Sequence, residues 1–563
     1  MNEVTPTRFT PLGRLLTIVL IAGLIALGVR MLSKSQSKGS GSSSGNSGSN
    51  ASGSASAGKT PDVAEARTSV KALAPAAAYA LPENKTIAVE ISKYAGYAGL
   101  VAANGGLDPS ENSVFFRDHG FKVKLNVSEG ENWDELNSGK IAASTTTADV
   151  LAVYGRQFHA IVPAQIGYSR GADGLVVRSD IKRINDLKGK VVATAQFTEV
   201  DFFLRYLAQE AGLGINMLGS LDATPASDRV NLVYTDEGFA AGDLFLDDLK
   251  SGRNKLAGCV TWEPKVSEVI TRSGDKAHLL ASNKNLLVIA DILVVNEGLA
   301  KQHPEIVNGL VHGLLAGNKL VRDQQDATLP VVTKAFGWTP DEARAELSKV
   351  HLANLPENLA FFSGAIDAAG SFNGIYQSAV LAYGNDLVKD PPDPSHFVDT
   401  KALDGVQKSG EFKDQKVAIA PLKSSAPSAT LESNPLLSKN IRFMFEPNSS
   451  TLDMNNPSNA TNLQAIKQML SVSPGSTVLL RGHVDNARVD EFRRMGGDAY
   501  VHQQALRAFA LSRDRAAEIQ KLLVDKYNVD AKRIDVVGRG WEEPIGSDSE
   551  QNRRVEVQWF TIE

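Results

Sequence analysis

Two side chains near the C-terminus stand where ordinary solvated charges do not. Arg515 shares a helical stripe with Leu511, Ile519 and Leu522, while Arg513, Asp514, Glu518 and Lys521 fall on other faces. An arginine inside an apolar stripe has two uses. It caps the edge of a core by pairing with a nearby acid, for which Asp485 is the candidate, or it offers its guanidinium to a ligand. His483, two residues before Asp485, reads as a strand-end residue satisfied by its neighbours. Elsewhere the groups that make and break bonds are not arranged to do so. The nine histidines are scattered, and there is no Gly-x-Ser-x-Gly elbow, no HExxH helix and no GxxxxGK[ST] loop. The single cysteine, Cys259, excludes an internal disulfide framework and any paired-cysteine metal or redox site. The expectation is a protein with no catalytic residue, no metal and no cofactor. A net charge of −5 is mild and argues against nucleic acid as a partner.

A length of 563 residues predicts several domains. Residues 15–29, LLTIVLIAGLIALGV, carry no charge and lie between Arg14 and Arg30. The run is short for a spanning helix, but flanking arginines can snorkel and extend it. A cleaved signal peptide is the alternative; no small-x-small site follows the run and no cysteine is there for lipidation, which favours an uncleaved signal anchor. Residues 33–59 are almost wholly Ser, Gly, Asn, Ala and Lys, cannot bury a core, and read as a flexible tether. Residues 64–80 are Ala-rich and read as partly helical. A second linker, less pure, precedes the C-terminal region. The expected organisation is 1–32, cytoplasmic stub and transmembrane anchor; 33–83, Ser/Gly/Ala-rich linker; 84–405, an α/β domain; 406–436, linker; and 437–563, an α+β domain.

The C-terminal region reads Gly482-His483-Val484-Asp485-Asn486, then Leu511-Ser512-Arg513-Asp514-Arg515-Ala516, then Gly538-Arg539-Gly540 and Asn552-Arg553-Arg554-Val555-Glu556. This ordered set resembles the OmpA-like peptidoglycan-binding domain. The resemblance implies that Asp485 and Arg515 clamp the diaminopimelate-type stem peptide of the cell wall, with Asn552 and Arg553 beside them. The chemistry suits a zwitterion, which needs an anion for its ammonium and a guanidinium fork for its carboxylate. It also sets orientation: N-terminus in the cytoplasm, single pass through the inner membrane, bulk of the chain in the periplasm. Two departures stand out. Ala508 replaces the family's Asn, and residues 487–510, with Arg488, Arg493 and Arg494, look like an added loop.

Between the linkers, short apolar runs alternate with helical periods, which argues α/β with mostly parallel sheets. Strands are expected at Thr86–Ile91, 121–127, 159–162, 174–178, Val191–Ala195, 258–261 and 291–295, and helices at 198–211, 304–322 and 339–350. Gly96-Tyr97-Ala98-Gly99-Leu100, Gly171-Ala172-Asp173-Gly174, Asp186-Leu187-Lys188-Gly189-Lys190, Trp262-Glu263-Pro264 and Asp291-Ile292-Leu293 resemble the periplasmic solute-binding proteins of the nitrate, sulfonate, taurine and thiamine-precursor group. The resemblance implies the type II fold: two α/β lobes joined by crossings near 174–178 and 291–296, with a small-molecule solute in the cleft between them. Candidate contacts are then Tyr97, Thr145, Thr146, Ser169, Gln196, Thr198, Trp262, Glu263 and Asp291. Helix N-termini at such a cleft suit an anion, but Glu199, Asp236, Glu237, Glu263 and Asp291 at the same strand ends suit a cation, and both signs stay open. The implied function is solute binding for ABC-type uptake, with a permease partner, or for sensing. The alternative is a scaffold linking inner membrane to wall with a degenerate cleft.

Overall fold

Burial explains the strands one at a time. Val191–Ala195 is buried along its whole length, as a strand covered by helices on both faces must be. Lys122–Val127 instead alternates, with its lysines turned outward, as suits a sheet edge. The computed structural model describes residues 63–128, 132–365, 370–419, 435–446, 449–473 and 475–560. The apolar run 15–29 and the tether 33–59 lie outside the described residues. Among the described residues no helix is long and apolar enough to cross a membrane.

The first lobe is a six-stranded sheet of β1 (Thr86–Ile91), β2 (Lys122–Val127), β3 (Ala143–Thr147), β4 (Ala160–Ser169), β11 (Ala290–Asn296) and β12 (Val350–Leu352), in the order β12-β4-β11-β3-β1-β2. The second holds β5 (Asp173–Arg178), β6 (Val191–Ala195), β7 (Gly214–Met217), β8 (Arg229–Thr235), β9 (Gly258–Trp262) and β10 (Ala277–Ser282), in the order β10-β5-β9-β6-β8-β7. The chain passes from one lobe to the other after β4 and returns after β10. This is the two-lobed, periplasmic-binding-protein-like α/β arrangement that the resemblance implies. Two expectations are corrected. The sheets are mixed: five pairings in the lobes are parallel and five antiparallel, because β5 and β11, the strands entered from each crossing, and the edge strand β12 run against their neighbours. The crossings are also not 174–178 and 291–296, which are strands inside the two sheets. They are the short connections 170–172 and 283–289. Asn283 fastens these together, accepting from the Gly171 and Asp173 amides at 2.8 and 3.1 Å and donating to the Asp173 carboxylate at 2.7 Å.

Residues 64–80 form no helix. They run extended over both lobes, and distant side chains hold their backbone. Ala64 donates to the Tyr234 carbonyl at 2.7 Å, and Gln196 bonds both the amide and the carbonyl of Arg67. Further on, Leu73, Ala74 and Tyr79 donate to Gln157, Asp134 and Asn296 of the first lobe.

The C-terminal domain is a four-stranded sheet of β13 (Leu437–Ile441), β14 (Thr477–Gly482), β15 (Ile534–Gly538) and β16 (Val555–Phe560), in the order β13-β16-β14-β15, with helices Pro457–Val472 and Val489–Tyr527. Residues 489–510 are helical rather than a loop. The helix breaks at Gly496 and Gly497, the latter at φ 65°, where a side chain would be strained. The domain does not stand apart on its linker. Ile184 donates to the Leu436 carbonyl at 2.9 Å, and Asn185 exchanges hydrogen bonds with the Ser438 backbone. Leu287, in the second crossing, donates to the Val472 carbonyl at 2.7 Å.

Candidate functional site

A cleft of about 340 Å³ opens between the lobes. Its walls are strand ends and helix starts, where the α/β topology leaves backbone and side chains unpaired. Of the residues expected to touch solute, Tyr97, Thr145, Thr146, Ser169, Gln196, Thr198, Trp262 and Asp291 all line it. Glu263 does not. It is buried behind the cleft, bonded to the Ser267 amide and hydroxyl in the second lobe and ion-paired at 2.7 Å with Lys349, just before β12 of the first, so its charge ties the lobes together. Sequence reasoning missed Tyr94, Asp173, Trp133, Tyr154 and Arg67, which also face the cleft.

Asp291 starts β11 beside a register shift against β4, a local irregularity that re-aims side chains. Tyr97 donates its hydroxyl to Asp291 Oδ1 at 3.2 Å, while Oδ2 accepts no hydrogen bond. Burial first, then the charge of Asp173, pushes the Asp291 carboxyl well above the usual range; Tyr97 and, without hydrogen-bonding geometry, Tyr94 pull it back in part. Asp173 accepts from the Ser169 hydroxyl at 2.5 Å and from Asn283, yet burial still raises it to about 6. Behind the floor, Asp149 is fully buried and pushed up to about 7 by burial. Burial and the nearby Asp291 also raise Tyr94 and Tyr97 well above the ordinary phenol. Trp262 stacks on Phe239 with ring centres 5.1 Å apart, over Gly238. A Cβ at Gly238 would sit 2.0 Å from the indole, so this wall requires glycine there.

The second pocket, about 600 Å³, lies in the C-terminal domain and holds both Asp485 and Arg515. They do not pair with each other. Asp485 takes Arg553 at 2.7 Å and the Ala487 amide at 3.1 Å. Arg515 lies 4.9 Å over the Phe445 ring and donates Nε to the Ser449 carbonyl at 3.2 Å. Among the described residues no carboxylate comes within ion-pairing distance of it. Asn552 is outside the pocket wall. It is buried, accepts from the Ile545 amide and donates to the Gly546 carbonyl, which positions the turn before Arg553 rather than a ligand. His483 is buried near Glu543 and Glu556, three groups that could reach one cation. Arg481 already bridges both carboxylates, supplying the positive charge a metal would bring. Burial alone would raise Glu556, but His483 and Arg481 hold it down to about 2. Arg488 and Arg493 of the lengthened helix pair with Glu491, Asp490 and Asp498.

Residues 444–558 match the model of the OmpA family, so the C-terminal region is an OmpA-type domain. This region is 30% identical over 125 residues to outer membrane protein Omp38 of Acinetobacter baumannii, covering 21% of this chain and 30% of that protein. The chain thus spans 30% of the length of the curated relatives it matches. Among solved structures, the periplasmic aliphatic sulphonate binding protein SsuA from Escherichia coli aligns at 16% identity and a TM-score of 0.41, over 57% of this chain and 99% of that one. The desulfurization enzyme DSZB aligns at 17% identity and 0.38, over 58% and 100%.

Proposed function

We propose that this chain is an envelope-held solute receptor. The interlobe cleft takes a small molecule, and the OmpA-type domain holds the protein to the diaminopimelate-type stem peptide of peptidoglycan. Asp485 and Arg515 contact the stem peptide directly, Arg553 shares the Asp485 charge, and Asn552 positions the turn that carries Arg553. Residues 15–29 anchor the chain in the inner membrane, with its bulk in the periplasm. The bound solute passes to an ABC-type permease or is sensed. The lobes close over it by rotating about 170–172 and 283–289, the usual behaviour of hinged lobes. The chain does no catalysis, which accords with the scattered histidines and the buried Cys259.

The observation that carries the reading is the cleft itself. It is polar and aromatic, with buried groups aimed into it, whereas a scaffold with a degenerate cleft would have filled it with apolar side chains. Native mass spectrometry of the purified chain, with co-sedimentation on isolated sacculi, tests both halves. A carried small molecule and pelleting with sacculi are expected; an empty cleft in every preparation would leave only the scaffold.

A further inference from the structure

The cleft carries its charge in an unusual balance. Among the described residues, Glu90, Asp173, Glu199, Asp236, Glu237 and Asp291 line it against two cations, Arg67 and Lys71. Both cations are exposed on the extended 64–80 segment, and Lys71 faces Asp134 at 3.3 Å. The nearest buried guanidinium, Arg205, is already paired with Asp201 at 2.8 Å and donates to the Tyr234 hydroxyl. Asp173 and Asp291 are each only 3% exposed. Burying carboxylates without a counter-charge is costly, so both hold their protons more tightly than usual, and a bound cation would offset the cost of the charged form. Asp291 Oδ2 lacks a hydrogen-bond donor although the side chain faces the cleft. A group that brings both positive charge and N–H donors satisfies it.

Carboxylates stand at two of the helix N-termini where an anion would otherwise sit. Helix Glu199–Glu210 has Glu199 and Asp201 in its first turn, and Asp201 accepts from the Phe197 amide. Helix Gly238–Ser251 is preceded by Asp236 and Glu237, although the Glu237 side chain makes no capping hydrogen bond. These carboxylates answer the positive ends of both helices, where a sulfonate or phosphate would otherwise be held. Tyr94 and Tyr97 meet edge to face, 5.3 Å between centres, and with Trp262 form aromatic walls that favour a cation over an anion.

We propose that the cleft selects an alkylammonium ion, with Asp291 and Asp173 receiving its N–H groups and Tyr94, Tyr97 and Trp262 packing its carbon chain. This rests on the receptor reading of the cleft and adds the sign and donor chemistry of the solute. The test is calorimetric titration of the full-length chain with butylamine, tetramethylammonium and butanesulfonate. Butylamine is expected to bind at least about ten-fold more tightly than either other probe, a margin of about 1.4 kcal/mol. Asp291→Asn is expected to abolish that margin while keeping the parent's melting temperature or raising it. Should that variant not fold, Asp173→Asn supplies the same comparison. Preferential binding of butanesulfonate overturns the cation assignment and keeps the receptor. Equal binding of tetramethylammonium overturns the donor requirement. No binding of any probe overturns the proposal, and an empty cleft in native mass spectrometry of the same preparation then removes the receptor reading as well.

Discussion

The two pockets solve opposite problems with the same residue types. The C-terminal pocket is lined by Arg442, Arg488, Arg515, Arg553 and Arg554 against Glu446, Asp485 and Glu550, and most of its charges already have partners. The Arg553 side chain is 50% exposed, and Asp485 sits below the ordinary carboxylate value: burial pushes it up, but Arg553 and the Ala487 amide outweigh that. In the interlobe cleft, Asp173 and Asp291 are desolvated and raised. A wet, pre-paired pocket gains little from any single new charge contact but can hold a repeated, abundant ligand. A pocket whose deepest carboxylates lack a cationic partner disfavours whatever fails to supply that charge. The difference fits an attachment site at one end of the chain and a selective site at the other.

The largest expected effect breaks the comparison at Arg515. Among the described residues its guanidinium has no carboxylate partner, so Arg515→Ala should remove the proposed ligand contact and leave no charge unpaired, losing internally only the bond to the Ser449 carbonyl and the packing on Phe445. Sacculus co-sedimentation should weaken roughly ten-fold or more, consistent with about 1.5–3 kcal/mol for a charged hydrogen bond, while butylamine binding in the cleft stays unchanged. Arg515→Lys should recover only part of it, because the planar fork is lost. Parent-like pelleting of both variants would take Arg515 out of the wall site.

The next effect separates the pockets by pH. Asp173 and Asp149 titrate at about 6 and about 7, above the ordinary 3.8. Folded values above the unfolded ones mean that these groups' contribution to apo stability is complete below the ordinary 3.8 and is lost as pH rises from there through the folded values of about 6 and about 7. Asp291, also raised, acts in the same direction. The melting temperature of the apo protein should therefore fall across this window. Alkylammonium affinity should rise across it, on the order of ten-fold between about pH 5 and 8, because the amine stays protonated while the carboxylates ionise. Sacculus binding should stay flat over the same range, since Asp485 remains ionised. Parallel pH titrations of both activities read the contrast directly, and a shared pH profile would erase it.

How far the sequence foretold these sites follows from what held each residue in place. Asp485 and Arg515 were legible because local motifs on β14 and the helix after it carry them at fixed spacing. Strands β1, β2, β4, β5, β6, β9 and β11 announced themselves as apolar runs, and Thr339 with Glu342 forms the capping box that starts helix Pro340–Leu347. β12 escaped because it is a three-residue edge strand, and β10, at the edge of the other sheet, because its residues do not alternate. Asp173 stood in a quoted phrase, but its burial depends on Asn283, 110 residues away. The mixed sheets and the true crossings were also hidden, since strand direction is decided by return paths rather than by composition. Arg67 was the hardest to see. It lies in an Ala-rich stretch without periodicity, ordered only by side chains from remote elements.

That stretch gives the smallest and most specific expectation. Its early residues bond to the second lobe, at Tyr234 and Gln196, and its later ones to the first, at Gln157, Asp134 and Asn296. Arg67 and Lys71, between these attachments, line the cleft. The segment therefore runs from one lobe to the other along the cleft as a strap, placed to gate a solute. Gln157 and Asp134 hold the strap without lining the cleft, accepting from the Leu73 and Ala74 amides at 3.1 and 2.7 Å. Gln157→Ala should cost only about 1 kcal/mol of stability, the usual net worth of one hydrogen bond, and Asp134→Ala somewhat more, because its carboxylate also pairs with the exposed Lys71. Together they should speed butylamine association and dissociation alike in stopped-flow measurements, with little change in Kd, because the strap is a barrier on the way in and on the way out rather than a contact in the bound state. Cleavage by protease between residues 64 and 80 should quicken in parallel. Unchanged rates with a quickened cleavage would show that the strap loosens without gating the cleft.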